Sequence, residues 1–247
     1  MKIAVAGGSG TVGAYVVEAA RAQGDDVVVI SRTQGVDVFT GEGLTSALQG
    51  VDAVIDVLNI STLSARKAKH FFETTTHHLL AAEEQAGVKH HVALSIVGID
   101  GVEASYYAGK LAQERAIEAG KIPYTIARTA QFHEFAGQIL AGQKGPVAVM
   151  PKAQIQPVST REVAEHLVHV AHSDPAGRAI DLVGPQEENL ADLARRQLEA
   201  DGVSRKVLET RFLGVYGRGL ASGELLGAEP RKTGTVTFAQ WLSSSER

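Results

Sequence analysis

The chain has 247 residues, 44% of them hydrophobic, with 24 basic and 28 acidic side chains and a net charge of −4. That length suits one large α/β domain with a core of its own, and the charge balance, without a long basic run, excludes an obvious nucleic-acid surface. The absence of cysteine excludes disulfides, thiolate catalysis and cysteine-held zinc or iron–sulfur sites, and no apolar stretch is long enough to span a membrane.

In chain order, "KIAVAG" (2–7) predicts a buried strand. "TVGAYVVEAARAQG" (11–24) predicts a helix, with Val12, Tyr15, Val16 and Ala19 at helical spacing and Gly24 as its stop. "DVVVISR" (26–32) is a second strand, "LTSALQG" (44–50) a short helix, and "DAVIDVLN" (52–59) a third strand. A long helix over 65–87 leads to the strand "HHVALSIVG" (90–98), a helix over 107–120 and the strand "YTIARTAQ" (124–131). Strands alternating with helices imply a parallel sheet covered on both faces. After about residue 145 the rhythm changes to strand and loop, with one further helix at "TREVAEHLVHVA" and Thr160 as its expected N-cap. A Gly-rich, irregular tail precedes a last short helix whose docking face is Phe238, Trp241 and Leu242. No repeat or flexible linker interrupts the chain, so residues 1–247 read as one folding unit. Met1 runs straight into the first strand, so no signal peptide and a cytoplasmic location are expected.

"GGSGTVG" joins the first strand to the first helix. Gly8, Gly10 and Gly13 match G-x-G-x-x-G, and Gly7, Gly10 and Gly13 match G-x-x-G-x-x-G. Such glycines permit the tight turn, the approach of backbone to a pyrophosphate, and the packing of helix on strand, and the helix N-terminus favours the anion. At the end of the second strand an acid would select NAD. Here Ser31, Arg32 and Thr33 offer a guanidinium and two hydroxyls to a 2′-phosphate, so NADP is the expected cofactor, as NADPH.

Tyr106 and Lys110 stand at i and i+4 and share a helix face, where an ammonium would favour the phenolate and bring the tyrosine into proton transfer. Tyr107, three residues before Lys110, competes for the same part. Together "KIAVAGGSGTVG", "ISR", "DAVIDVLN", "ALSIVG", "YYAGKLAQE" and "YTIARTAQFHEF" resemble the short-chain dehydrogenase/reductase superfamily across essentially the whole chain, most closely its atypical NmrA-like and epimerase-like branch. The resemblance implies a Rossmann-type doubly wound parallel sheet with a small C-terminal substrate lobe, built mainly from about 132–160 and 175–247. It implies that Gly7, Ser9, Gly10, Thr11, Val12 and Gly13 hold the pyrophosphate, that Ser31 and Arg32 hold the 2′-phosphate, and that Asn59 lies along the cofactor. It implies Lys110 on the nicotinamide ribose, Tyr106 as acid/base, and Ser95 at the substrate-orienting position.

The chain departs from the common pattern in three places. Ser95 precedes Tyr106 by only eleven residues, "DVLN" replaces Asn-Ala-Gly, and "RTAQFHEF" replaces the Pro-Gly loop after the sixth strand. Gln131, Phe132 and His133 at that last position are expected to line the substrate pocket. The nine histidines lack metal-ligand spacing. His77-His78 and His90-His91 are adjacent pairs, and His166, His169 and His172 read as a solvated helix face, so no metal is expected. The expected function is NADPH-dependent reduction of a small carbonyl or quinone-like molecule, with hydride from the nicotinamide and a proton from Tyr106. The alternatives are a non-enzymatic NADP(H) redox sensor and a sugar-nucleotide epimerase or dehydratase. The expected partners are a small-molecule substrate and, as a homodimer, a second copy, with no nucleic acid and no membrane.

Overall fold

The computed structural model describes residues 1–245. Its main elements are β1 (Lys2–Ala6), α1 (Thr11–Ala22), β2 (Asp26–Ile30), α2 (Leu44–Ala47), β3 (Ala53–Asp56), α3 (Ala65–Ala86), β4 (His90–Ile96), α4 (Ser105–Glu118), β5 (Tyr124–Thr129), α5 (Phe135–Ala141), β6 (Val147–Pro151), β7 (Gln154–Ile155), α6 (Thr160–Ala171), β8 (Gly177–Arg178), β9 (Asp181–Val183), β10 (Glu188–Asn189), α7 (Leu190–Ala200), β11 (Lys206–Thr210), α8 (Gly214–Ala221), β12 (Arg231–Thr233) and α9 (Phe238–Leu242). Each element predicted before residue 132 is present, with ends displaced by up to three residues.

The chain forms two compact units. The first comprises Met1–Ser95, Ala104–Arg128 and Thr160–Ile180. Its strands run β2-β1-β3-β4-β5, and β1 pairs in parallel with both β2 and β3. Ile3, Ala4, Val5 and Ala6 of β1 and Ala53, Val54 and Ile55 of β3 are fully buried, as strands covered on both faces must be. The strand order reverses between β1 and β3, which creates the crevice where ligands of open α/β sheets bind. On the helical layers α1 packs with α6 and α3 with α4. The α3–α4 contact is very close at Gly109, where a Cβ would come within 2.6 Å of Ala68 Cβ and 2.8 Å of Phe72.

Two expectations are corrected in this unit. Helix α6 begins at Thr160 itself, so Thr160 is a helical residue and not the N-cap. The three histidines do not share one environment. His169 and His172 are exposed, as expected, with His172, just past the end of α6, placing Nε2 2.8 Å from Asp25 Oδ2, but His166 is buried.

The second unit comprises Ile96–Glu103, Thr129–Ser159 and the chain from Asp181 onward. Its strand pairings are short, and β9 and β12 are strands of the eight-stranded sheet. β6 pairs with β11 and β9 with β12 in parallel, while β7 pairs with β10 antiparallel. Helix α7 starts at the Asn189 cap, whose Oδ1 accepts from the Ala191 and Asp192 amides. Helix α9 starts with a Thr237–Gln240 capping box and buries Phe238 and Trp241.

Candidate functional site

The carboxyl ends of β1, β2 and β3 meet around the glycine turn. Gly7 is left-handed at φ +85°, and its amide donates to Ile30 O at 3.0 Å, tying the turn to the end of β2. Gly8 donates to Val5 O, and Gly10 to Gly7 O at 2.9 Å. The glycines differ in what they tolerate. A Cβ on Gly13 would lie 2.1 Å from Gly7 O and 2.6 Å from Gly8 Cα, so only glycine lets α1 start this close to the strand. A Cβ on Gly10 would meet only Gly7 O, at 3.2 Å. Gly10 is the N-cap of α1, yet it has no capping side chain, and the first turn holds no acid. The amides of Thr11, Val12 and Gly13 therefore lack side-chain partners at the positive end of a helix dipole, with Ser9 exposed beside them. A side-chain-free cradle and an uncapped helix start fit the pyrophosphate of a dinucleotide.

Arg32 follows Ser31 directly off β2. It is exposed and, among the described ion pairs, engages no carboxylate, while Ser31 Oγ and Thr33 Oγ1 bond each other at 2.9 Å. A guanidinium so placed fits a phosphate monoester beside the turn.

The third wall comes from the exit of β3 and the start of α4. The Tyr106 hydroxyl donates to Asn59 Oδ1 at 2.7 Å, and its ring stands edge-on to Phe72 with centroids 5.7 Å apart. Lys110, one turn on, is 4% exposed. Its Nζ donates to Leu94 O at 2.6 Å and to Gln113 Oε1, and lies 4.6 Å from the centre of the Phe72 ring. Gln113 Nε2 in turn donates to Asp56 Oδ2 at 2.8 Å, and Asp56 Oδ1 accepts from the Leu58 amide at 2.9 Å. Beneath this, Arg128 Nε and Nη2 grip Glu114 at 2.8 and 2.5 Å.

These contacts correct the expected electrostatics of the pair. Burial, helped by the negative charge of Asp56, raises the Tyr106 pKa, so the phenol is kept protonated and is not tuned toward phenolate. Burial also lowers the Lys110 pKa to about 8, against the opposing pull of Asp56 and Glu114. Two of the three ammonium donors point inward to Leu94 and Gln113, which leaves one for a ligand. Asp56 and Gln113 were not among the sequence-predicted residues. The signals were a carboxylate ending the apolar run "AVID" and an amide three residues after Lys110.

The remaining predicted residues fall as follows. Ser95, on β4 next to Leu94, is 2% exposed, and its Oγ has no hydrogen-bond partner, so it makes no hydrogen bond to Tyr106. Tyr107 is buried, whereas Tyr106 is half-buried and reaches Asn59. Ser105, just before Tyr106, is held at φ +54°, a left-handed conformation that costs a non-glycine residue about 1–2 kcal/mol. Gln131, Phe132 and His133 belong to the second unit. Gln131 O accepts from the Val158 amide, and Phe132 bridges to Val158. His133 is buried, with Nε2 3.0 Å from Val236 O and its ring against Phe238 and Trp241. Among the described residues, no group of three His, Cys, Asp or Glu side chains is arranged to hold a metal, and no helix is long and apolar enough to cross a membrane.

Residues 7–174 match a protein family described as NAD(P)H-binding. Among curated proteins, the chain is 25% identical over 205 residues to the photosystem II assembly factor Ycf39 of Synechocystis sp. (strain ATCC 27184 / PCC 6803 / Kazusa), covering 72% of this chain. The chain spans 60% of the length of that relative. Among solved structures it is similar to triphenylmethane reductase of Citrobacter sp. complexed with NADP(H), at TM-score 0.68 and 20% identity over 93% of each chain. It is also similar to the NADPH-dependent quinone oxidoreductase QOR2 of Escherichia coli complexed with NADPH, at TM-score 0.72 and 20% identity over 98% of each chain. A nucleoside-diphosphate-sugar epimerase of Staphylococcus aureus superposes at TM-score 0.73 and 17% identity, over 99% of this chain and 100% of that one. What these structures share with the chain at such identities is the mostly parallel α/β sheet flanked by helices.

Proposed function

The chain belongs to the NAD(P)H-binding family, and from that premise we propose that it is an NADPH-dependent oxidoreductase of the short-chain dehydrogenase/reductase type, reducing a small carbonyl or quinone-like substrate in the cytoplasm. The observation that carries the reading is the Tyr106 hydroxyl, kept protonated and bonded to Asn59 at the carboxyl edge of the sheet, one helical turn from Lys110. Gly7, Ser9, Gly10, Thr11, Val12 and Gly13 would hold the pyrophosphate, Ser31 and Arg32 the 2′-phosphate, Asn59 the flank of the cofactor, and Lys110 its nicotinamide ribose. Bound there, NADPH supplies a hydride. Tyr106 would then have one task, to give its phenolic proton to the substrate oxygen as charge develops on it. Ser95 would orient that oxygen with its unpartnered hydroxyl. Gln131, Phe132 and His133 belong, on this reading, to a substrate lobe drawn mainly from about 132–160 and 175–247. A homodimer is compatible with all of these roles.

The test is loss of NADPH absorbance against a panel of quinones, enones and small carbonyls under anaerobic conditions. Oxidation of NADPH in step with reduction of at least one class is expected. Tight NADPH binding with no oxidation by any member would replace the reading with that of an NADP(H) sensor.

Cofactor choice has its own expected result. Arg32→Ala should weaken NADPH by about 10- to 100-fold, the worth of charge-assisted hydrogen bonds, and leave NADH unchanged. Calorimetry with both cofactors decides it. A parent protein that binds the two equally would sink the assignment of Arg32.

A further inference from the structure

Asp56 ends a strand that is otherwise wholly apolar, and it is fully buried. A carboxylate in such a place is costly unless its oxygens are bonded and its charge is balanced. Both oxygens are bonded, and each bond leads to one member of the Tyr106–Lys110 pair. Oδ2 accepts from Gln113 Nε2, which turns Gln113 Oε1 toward Lys110 Nζ. Oδ1 accepts from the Leu58 amide and so fixes the loop that presents Asn59, whose own Oδ1 receives the Tyr106 hydroxyl.

We propose that Asp56 is the positioning residue of this pair, setting the Lys110 ammonium through the Gln113 amide and setting Tyr106 through the Leu58–Asn59 turn. The proposal rests on the reading of Tyr106 and Lys110 given above.

The amide of Gln113 acts as a one-way relay. An ionised carboxylate only accepts, so Asp56 fixes which end of Gln113 faces it, and the carbonyl end is left for a donor. Lys110 thereby gains an acceptor and, one residue further off, a balancing negative charge. The other charged groups nearby are already committed. Glu114 is held by Arg128, and His91 Nδ1 lies 2.8 Å from Glu83. Glu114 adds to the pull on Lys110, but Asp56 ranks above it. Phe72 covers the ammonium from the α3 side and brings no charge.

Substitution separates the two arms. In Asp56→Asn the bond to Leu58 survives through Oδ1, but the new Nδ2 meets Gln113 Nε2, donor against donor. Gln113 must turn over, and its own NH2 then confronts the ammonium. Adding Gln113→Glu restores a carboxylate, one oxygen accepting from the amide introduced at position 56 and the other from Lys110. Gln113→Leu keeps the Asp56–Leu58 bond and cuts the Lys110 arm, at the cost of leaving Asp56 Oδ2 without its donor.

The experiment is the pH dependence of NADPH affinity, read by cofactor fluorescence without substrate, with a thermal melt of each variant. In the parent, affinity should fall as the pH rises through about 8, where Lys110 loses its proton, and Lys110→Met should lack that limb. Asp56→Asn and Gln113→Leu should each move the limb down by about one pH unit or more, the usual effect of losing an opposite charge or its relay, so that affinity at pH 8 drops about fivefold or more. The double variant Asp56→Asn with Gln113→Glu should return the limb to the parent position or above. A limb unmoved in Gln113→Leu, or one that stays low in the folded double variant, overturns the proposal. If Asp56→Asn does not fold, Gln113→Leu decides alone. A parent with no limb, or one that persists in Lys110→Met, instead overturns the underlying reading of the site.

Discussion

Replacing Tyr106 with phenylalanine is expected to slow turnover by about 100- to 10,000-fold, the range for a lost general acid, with NADPH affinity nearly unchanged. The substitution removes one oxygen and keeps the ring that packs edge-on to Phe72, so the start of α4 stays where it is. The lost contact is the 2.7 Å bond to Asn59, and its removal leaves an exposed amide that water can satisfy. The pH dependence distinguishes the two members of the pair. Tyr106 stays protonated through the alkaline range, because burial and Asp56 both oppose phenolate formation. An alkaline limb near 8 in the parent would therefore belong to Lys110. Single-turnover rates of NADPH oxidation, measured on parent and variant from pH 6 to about 9, check both points. A variant as fast as the parent means that the proton comes from another group.

Gly13→Ala is expected to destabilise the protein by about 3 kcal/mol, the upper range of overpacking, and to abolish cofactor binding. The added methyl would stand 2.1 Å from Gly7 O and 2.8 Å from Gly7 C, and both are backbone atoms that no rotamer change can move. Helix α1 must shift away from β1, and its free amides leave the site with it. Gly10→Ala is the control. Its Cβ meets one backbone oxygen at 3.2 Å, so the fold gives by a few tenths of an ångström and the loss falls on the approach of the pyrophosphate. Thermal melts with calorimetric NADPH titration separate the two variants. If Gly13→Ala melts with the parent, the turn is looser than described.

The contrast between these glycines shows where sequence and structure part. The spacing of Gly7, Gly10 and Gly13 after a buried strand suggests a phosphate-binding turn, and of the three only Gly7, at φ +85°, needs glycine for its own backbone conformation. Nothing in the spacing ranked them. The rank depends on how closely α1 approaches β1, which only the packed unit sets.

The same division runs through the rest of the chain. The βα rhythm to residue 131 was legible, because strands buried on both faces must be continuously apolar and helices on a sheet must be apolar along one stripe. The second unit was far less so. Its β7 and β10 are two residues long, too short for any period, and α7 lay unannounced behind its Asn189 cap. Of His166, His169 and His172 only His166 departs from a solvated face, because helical spacing tells which residues share a face and not how far burial extends across it.

At the site, Tyr106 and Lys110 could be paired on paper because i and i+4 are neighbours on any helix. The direction of their pKa shifts could not, and for the tyrosine the expected sign was wrong. That sign is set by burial and by a carboxylate far earlier in the chain, on β3, while the ammonium is turned inward by Leu94 on β4 and by Gln113. Residue type and local spacing determine what a side chain can do. Which protonation state it holds is decided by desolvation and by charges that only the tertiary fold brings within reach.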